Sequence, residues 1–485
     1  MSDQNNNNLF MASLLIIGSF ITILNQTLMI TAIPPIMEEM DISANTGQWL
    51  TTVFMLVNGV MIPVSAFLIE RFTTRQLFLT AMSVFTLGTI LGAIAPNYPI
   101  LIGARVIQSS GAGVMLPLMQ TVFLMIFPYN KRGVAMGYIG LVISFAPAIG
   151  PALSGYITSE YSWRFLFVFI LPIALAVIAL GYFALRNVTE VKNPKLDPLS
   201  ILLSSIGFGG LLYGFTSAGN YGWNSEITIG VLLVGVVALT IFIIRQLKVD
   251  NPMLEFRVFR SPTFTITTIL GMVGFAGLIG SETLIPLFMQ EMRDFTALES
   301  GLALLPGAVI SGLMSPITGR IFDKIGARLL TIVGLSIVTG SSLLFSFLSI
   351  ETTFITITVL YSVRMFGLSM IMMPATTAGL NQLPDKLIPH GTAMNNTMRQ
   401  MAGSVGTAIF VTIMTKSQQS AENTPSIAHP DIHGVNVAFM VITGITLVAI
   451  LLSFFVKKDD GSREKLSHIK RKEQQPQYKE GMQNA

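Results

Sequence analysis

Hydrophobic positions fall in fourteen long blocks, divided by short polar stretches, almost from one end of the chain to the other. They lie at roughly 9–33, 48–69, 76–96, 99–123, 133–157, 163–185, 199–217, 226–246, 262–289, 300–320, 328–349, 353–378, 392–415 and 434–456. Each block is near the ~20 residues that an α-helix needs to cross a bilayer. In lipid the backbone must bond to itself, which a helix does within one segment. The pattern therefore predicts an all-α integral membrane protein with fourteen transmembrane helices.

The polar stretches orient the chain. Arg71, Arg75, Lys131, Arg132, Arg186, Lys192, Lys195, Arg245, Lys248, Arg257, Arg260, Arg320, Lys324, Arg328 and Lys386 fall on one side of the predicted membrane. The tail after Val456 falls on the same side and adds eight more bases, Lys457 to Lys479. The other side holds only Arg164, Arg293 and Lys416, and is rich in acids such as Glu38, Glu39, Asp41, Glu160 and Asp294. Basic loops stay in the cytosol, so both termini are expected there and the plasma membrane is the expected location. The first eight residues are polar and without bases, and the first block is too long for a signal-peptide core, so no cleaved leader is expected.

Composition narrows the chemistry. Charged residues make up 11% of the chain, against about 25% in soluble domains. There is no cysteine, and the four histidines lie outside the blocks or at their ends, so neither a metal site nor a cofactor is expected. No Gly-x4-Gly-Lys-Ser/Thr loop is present, which argues against ATP as the energy source. The basic residues are spread over many loops, so a nucleic-acid partner is not expected.

The chain also repeats itself. Phe67-Leu-Ile-Glu70-Arg71-Phe-Thr-Thr-Arg75 follows the second block, and Gly319-Arg-Ile-Phe-Asp323-Lys324-Ile-Gly326-Ala-Arg328 follows the tenth. Arg105 and Pro117 in the fourth block match Arg364 and Pro374 in the twelfth. Gly133-Val-Ala135-Met136 opens the fifth, and Gly391-Thr-Ala393-Met394 the thirteenth. Blocks 1–6 and 9–14 thus read as two six-helix bundles in parallel repeat, with blocks 7 and 8 inserted between them. The expected division is 1–185, an inserted pair with linkers at 186–261, 262–456, and a basic cytosolic tail at 457–485. Parallel repeats with a path between them are built into many secondary transporters.

On these residues the chain resembles the major facilitator superfamily, in its fourteen-span branch of drug:proton antiporters. Gly319 to Arg328 fits the family's loop motif; the first copy departs from it at Glu70 and Thr73. Leu101-Ile-Gly-Ala-Arg105-Val-Ile-Gln108-Ser-Ser-Gly111 resembles the fourth-span motif, and Pro147-Ala-Ile-Gly150-Pro151-Ala-Leu-Ser-Gly155 the antiporter motif of the fifth. Trp163-Arg164-Phe165-Leu-Phe167, with Pro172, resembles the start of the sixth. The resemblance implies a part in proton exchange for Arg105. It implies conformational switching by Glu70, Arg71, Asp323, Arg328, Pro147, Gly150, Pro151 and Gly155. Where the family commonly has an aspartate in the first span, this chain has Asn25, which carries no proton.

Glu282 is the alternative proton carrier, as the one acidic residue well inside a predicted span. A charge at the bilayer centre costs ~2.5–3.5 kcal/mol, so such residues face a cavity or a partner. A structural carboxylate bonded to a neighbouring helix is the competing explanation. Helical spacing puts Phe275, Ile279, Pro286 and Met289 on its face. Asn25, Phe275, Met289, Asn395 and Arg399 are candidates to touch substrate, although Arg399 could instead snorkel toward the surface. Arg105 and Arg364 could equally tether helices. Asp323 is expected to pair with nearby bases and bridge spans 10 and 11. Methionine and phenylalanine are abundant, 27 and 32 residues, and suit an adaptable apolar binding surface. Export of lipophilic, often cationic drugs in exchange for protons is the leading expectation. Export of one endogenous metabolite or lipid is the runner-up. A polytopic membrane enzyme is the alternative from another class, but no catalytic cluster stands out.

Overall fold

The computed structural model describes residues 2–189, 191–192, 197–422 and 427–456. Lys195 and the predicted tail from Lys457 onward lie outside the described residues. In chain order the helices are α1 (Ser2–Leu28), α2 (Ile33–Met40), α3 (Ala44–Arg71), α4 (Thr74–Ala93), α5 (Tyr98–Ile126), α6 (Arg132–Glu160), α7 (Phe165–Ala184), α8 (Pro198–Tyr221), α9 (Glu226–Lys248), α10 (Pro262–Glu291), α11 (Ala297–Ile325), α12 (Ala327–Phe345), α13 (Phe354–Ser369), α14 (Met372–Asn381), α15 (Ile388–Glu422) and α16 (Pro430–Ser453). Polar residues at the block edges start them. Thr73 with Gln76, and Thr296 with Glu299, form reciprocal caps on α4 and α11. Single caps come from Ser43, Asn97, Asp197 and Thr353.

Among the described residues, thirteen helical segments are long and apolar enough to cross a membrane. The thirteenth block is not among them; it is α15, a 35-residue helix rich in Asn, Thr, Gln and Ser. In its first half Thr392, Asn395, Asn396, Thr397 and Arg399 are buried against other helices, so lipid does not see them. With α15 the passages number fourteen, as predicted. The twelfth is broken between α13 and α14. Pro374 has no N–H for the carbonyl of Met370, and its ring crowds that carbonyl, so Met370 and Ile371 fall back to tighter bonds with Gly367 and Leu368. The short helix α2 was not expected. It follows the first passage and ends at Asp41, whose φ of 51° turns the chain.

Helices α1 and α3–α7 pack as one bundle, and α10–α16 as a second. The second has an apolar core of its own, whereas the core of the first runs on across the junction into α10, α14 and α15. The bundles meet along two seams, α6 against α11 and α3 against α15. The inserted α8 lies over the α3–α15 seam, with Leu212 against Gly59 of α3 and Gln400 of α15 nearby. Tyr213 packs on Trp49 with the rings tilted and their centroids 5.4 Å apart, and the Trp223 indole N–H donates to Thr412 at 2.7 Å. Gly210 and Gly235 let α9 approach α8 closely, as small residues do between membrane helices.

Candidate functional site

The two bundles are pressed together at the end of the molecule where α1 begins and α16 finishes. Gly319 of α11 lies so close to Gly133 of α6 that a Cβ on it would sit 2.2 Å from the Gly133 carbonyl oxygen. The Asp323 carboxylate accepts from the backbone N–H of Gly133 at 2.7 Å and of Val134 at 3.0 Å. Arg132 donates to Asn381 at 3.0 Å, Asn396 to Gln120 at 2.6 Å, and Thr121 and Thr392 share a bond of 2.9 Å. Glu70, ending α3, accepts from the side chain of Lys192 and lies 3.2 Å from Nε2 of His390, at the start of α15. This corrects the sequence reading of Asp323. Its partners are backbone amides of the other bundle, not bases bridging spans 10 and 11. Arg328 is exposed, and Arg71 lies 6.0 Å from the Phe67 ring.

At the opposite end the bundles part, leaving a cavity of about 570 Å³. Thr27 of α1, Ile30 and Thr31 in the turn after it, and Ile143, Ser144 and Tyr156 of α6 line one wall. Leu278 and Glu282 of α10, Leu298, Leu302 and Leu305 of α11, Tyr361, Met365 and Leu368 of α13, and Met372 and Met373 line the other. The α13–α14 break delivers the two methionines there. Pro147, Pro151 and Gly155 also line it, whereas Gly150 packs on Thr27, where a Cβ would meet Oγ1 at 2.1 Å.

Glu282 is exposed within this cavity although protein surrounds it. The hydroxyl of Tyr361, itself buried, stands beside its carboxylate, and both side chains line the same cavity. The Tyr361 ring occupies the space that a side chain on Gly307 would need. One turn further along α13, Arg364 donates to Ser342 and, at 2.8 Å, to the carbonyl of Gly277. A lone carboxylate in an apolar chamber attracts a lipophilic cation or a proton. Sequence reading missed Tyr361; the available signal was a tyrosine one turn from Arg364 inside a span.

The five expected substrate contacts do not line this cavity. Asn25 is buried and accepts from Arg105 at 2.6 Å. Met289 is fully buried in the second core. Phe275 lies against Gly403 and under Arg399, 5.1 Å from the guanidinium carbon. Asn395 is buried between Thr268 and Thr376, and Arg399 is buried rather than snorkelling. Arg105 is also remote from Glu282. It donates to Gln108 at 2.7 Å and to the Leu50 carbonyl at 3.2 Å, over the Phe54 ring. It therefore ties α5 to α1 and α3. Among the described residues no cluster of His, Asp and Glu could hold a metal ion.

Outside the spans, two carboxylates hold surface elements. Glu39 of α2 accepts from Arg164 at 2.6 Å and Trp163 at 2.7 Å; the Arg164 bond, above all, keeps its carboxyl below the usual carboxylate range. Asp197, capping α8, is lowered too. Burial opposes this, but bonds from Arg245 and Ser200 prevail.

A twice-repeated helix bundle with a cavity open at one end only is the build of a secondary transporter. The family model described as Major Facilitator Superfamily matches residues 15–407, and the chain belongs to that family. It is a multi-pass membrane transporter of small molecules, not an enzyme. It is 56% identical over 445 residues to the uncharacterized MFS-type transporter YcnB of Bacillus subtilis (strain 168), covering 92% of this chain and 94% of that one. It is 43% identical over 457 residues to the lincomycin resistance protein LmrB of the same organism, covering 92% and 95%. The crystal structure of the human organic anion transporter MFSD10 shares the fold, with a TM-score of 0.67 at 11% identity, covering 92% of this chain and 99% of that one.

Proposed function

We propose that this protein is a proton-coupled multidrug exporter of the cell membrane, working by alternating access and described here with its cavity open to the outside. The Lys and Arg bias of the loops supports a cytosolic placement of both termini, which makes the closed end the inner one. The relative named for lincomycin resistance supports a drug substrate.

One observation carries the reading: Glu282 is a carboxylate exposed in an otherwise apolar chamber. Ionised, it holds a lipophilic cation among Leu278, Leu302, Met365 and Met372. A proton arriving from outside neutralises it, and the attraction that held the cation is lost. Tyr361 orients the carboxylate toward the chamber. Once the cavity turns inward, deprotonation restores the attraction. The membrane potential supplies ~2.3 kcal/mol per charge per 100 mV to this exchange. Arg105 takes the role of a tether, Gly150 and Pro147 bend and seat α6 against α1, and the Asp323 and Glu70 contacts gate the inner end.

The test is transport of a lipophilic cation in proteoliposomes with an imposed pH gradient. Wild type should exchange the cation for protons, Glu282→Gln should abolish gradient-driven transport, and Glu282→Asp should retain some. Gradient-driven transport at the wild-type rate by Glu282→Gln would place the coupling group elsewhere. Covalent turnover of a substrate, or transport indifferent to the gradient, would remove the reading altogether.

A further inference from the structure

Three buried arginines lie inside the helical bundles, and they are not alike. Arg105 and Arg364 occupy matching places in the two repeats and hold neighbouring helices through several donors. Each leaves a single nitrogen without a partner. Arg399 has no such place in the repeated frame. It stands eight residues beyond Gly391, while eight residues beyond the matching Gly133 stands Leu141. It is 4% exposed, and both Nε and Nη1 lack a hydrogen-bond partner. The Phe275 ring beneath it attracts the cation through its face, but a ring face offers no acceptor to in-plane N–H groups. Guanidinium donors are matched in geometry to carboxylates and other oxyanions.

The surroundings suit such a group. Gly271 leaves the flank of Arg399 without a side chain; a Cβ there would reach the arginine stem only at 3.8 Å. One turn away on α15, Asn395 makes long bonds of 3.4 and 3.3 Å with Thr268 and Thr376, leaving these polar groups free to regroup. The site lies just under the cavity floor. Gly274, three residues along α10 from Gly271, faces Met372 and Leu368, which line the cavity; a Cβ on it would meet them at 3.5 and 3.7 Å. Methionine is flexible enough to move aside.

We propose that Arg399 receives the acidic group of an amphoteric substrate, a compound with a basic nitrogen at one end and a carboxylate or other oxyanion at the other. This rests on the export reading above and extends its substrate class from cations to zwitterions. Glu282 is seven residues beyond Phe275 on α10, so the two charges are offset by ~10 Å along that helix axis. An elongated aromatic compound reaches both.

The test uses the purified full-length protein and two probes, a rhodamine with a free carboxyl group and its methyl ester, with binding read by fluorescence polarisation. Arg399→Gln should weaken the free acid about tenfold or more, because a charge-assisted bond is lost, and leave the ester within about twofold. Arg399→Lys should restore part of the binding of the acid. Equal effects on both probes, or none, would overturn the proposal. Should Arg399→Gln fail to fold, the lysine variant and the wild type still decide. On the wild type, excess phosphate that displaces the acid while sparing the ester, with no loss of the acid in Arg399→Lys, would assign the acid's site elsewhere and overturn it too. Glu282→Gln is read in parallel. If it leaves the ester's affinity unchanged, the export reading fails, whatever Arg399 does to the acid.

Discussion

Asp323 closes the first turn of a helix in the opposite bundle: its two carboxylate oxygens take the backbone N–H groups of Gly133 and Val134. The repeat supplies a counterpart, in which Glu70 at the end of α3 meets His390 at the start of α15. The two copies of one loop motif thus latch the same end of the molecule, once onto backbone and once onto a side chain. An anion at a helix N-terminus is favoured both by the free N–H groups and by the helix dipole.

Asp323→Asn removes the charge and can satisfy only one amide by acceptance. Bonds to a charged group contribute ~1.5–3 kcal/mol, so the balance should shift toward the state open at this end by about tenfold or more. The chain has no cysteine, so Lys131→Cys and Lys324→Cys give a clean spin-label pair. Its distance distribution should lengthen in Asp323→Asn. An unchanged distribution would mean the latch is held by other contacts.

Gly319→Ala attacks the same closure by sterics. Its Cβ would sit 2.2 Å from the carbonyl oxygen of Gly133, which is backbone and has nowhere to go. Overpacking costs ~1–3 kcal/mol, and the closed state alone bears it. Transport should fall about tenfold, while the spin-label pair reports an open end. A wild-type transport rate would show that α6 and α11 can separate there without loss.

Arg105 offers a separation of stability from function. Arg105→Ala leaves the oxygens of Asn25 and Gln108 buried without their donor, at ~1–3 kcal/mol each. Its melting temperature should drop by several degrees, whereas Glu282→Gln, at a position exposed in the cavity, should melt like wild type. Thermal shift of the purified variants checks this, and an unperturbed Arg105→Ala would deny the tether.

Glu39 sets a pH dependence in α2, where it pairs with Arg164. Arg164 holds its carboxyl below the ordinary range, so its contribution to stability is present above the unfolded value and is lost as pH falls through the lowered one. Both side chains are partly exposed, so the effect is small and weakened by salt. The melting temperature of wild type should exceed that of Glu39→Gln at neutral pH, and the gap should close in acid.

The fourteen passages and the parallel repeat were legible because lipid leaves only one way to satisfy the backbone, and because duplicated motifs keep their spacing. Glu282 was legible as a lone acid in an apolar run. The facing of each helix was not. When almost every position is apolar, the side turned to the path carries little signature, so Asn25 was assigned to the path although Arg105 holds it elsewhere. Nor could sequence pair Asp323 with amides far away in the chain, since a backbone N–H has no residue identity. The break before α14 had a visible cause in Pro374, but α5 runs unbroken through its matching Pro117, so the proline alone did not decide it.

The inserted α8 gives the molecule a spine. It grips α3 through Gly59 and Trp49, and Trp223 in the turn after it holds Thr412 of α15, so the two bundles are bound along that edge as pages are. The opposite edge is the fore-edge. There, at the far end, Gly155 and Gly301 have open space where a side chain would begin. Both glycines line the cavity, so the chamber is left unfilled on the side of the molecule away from α8.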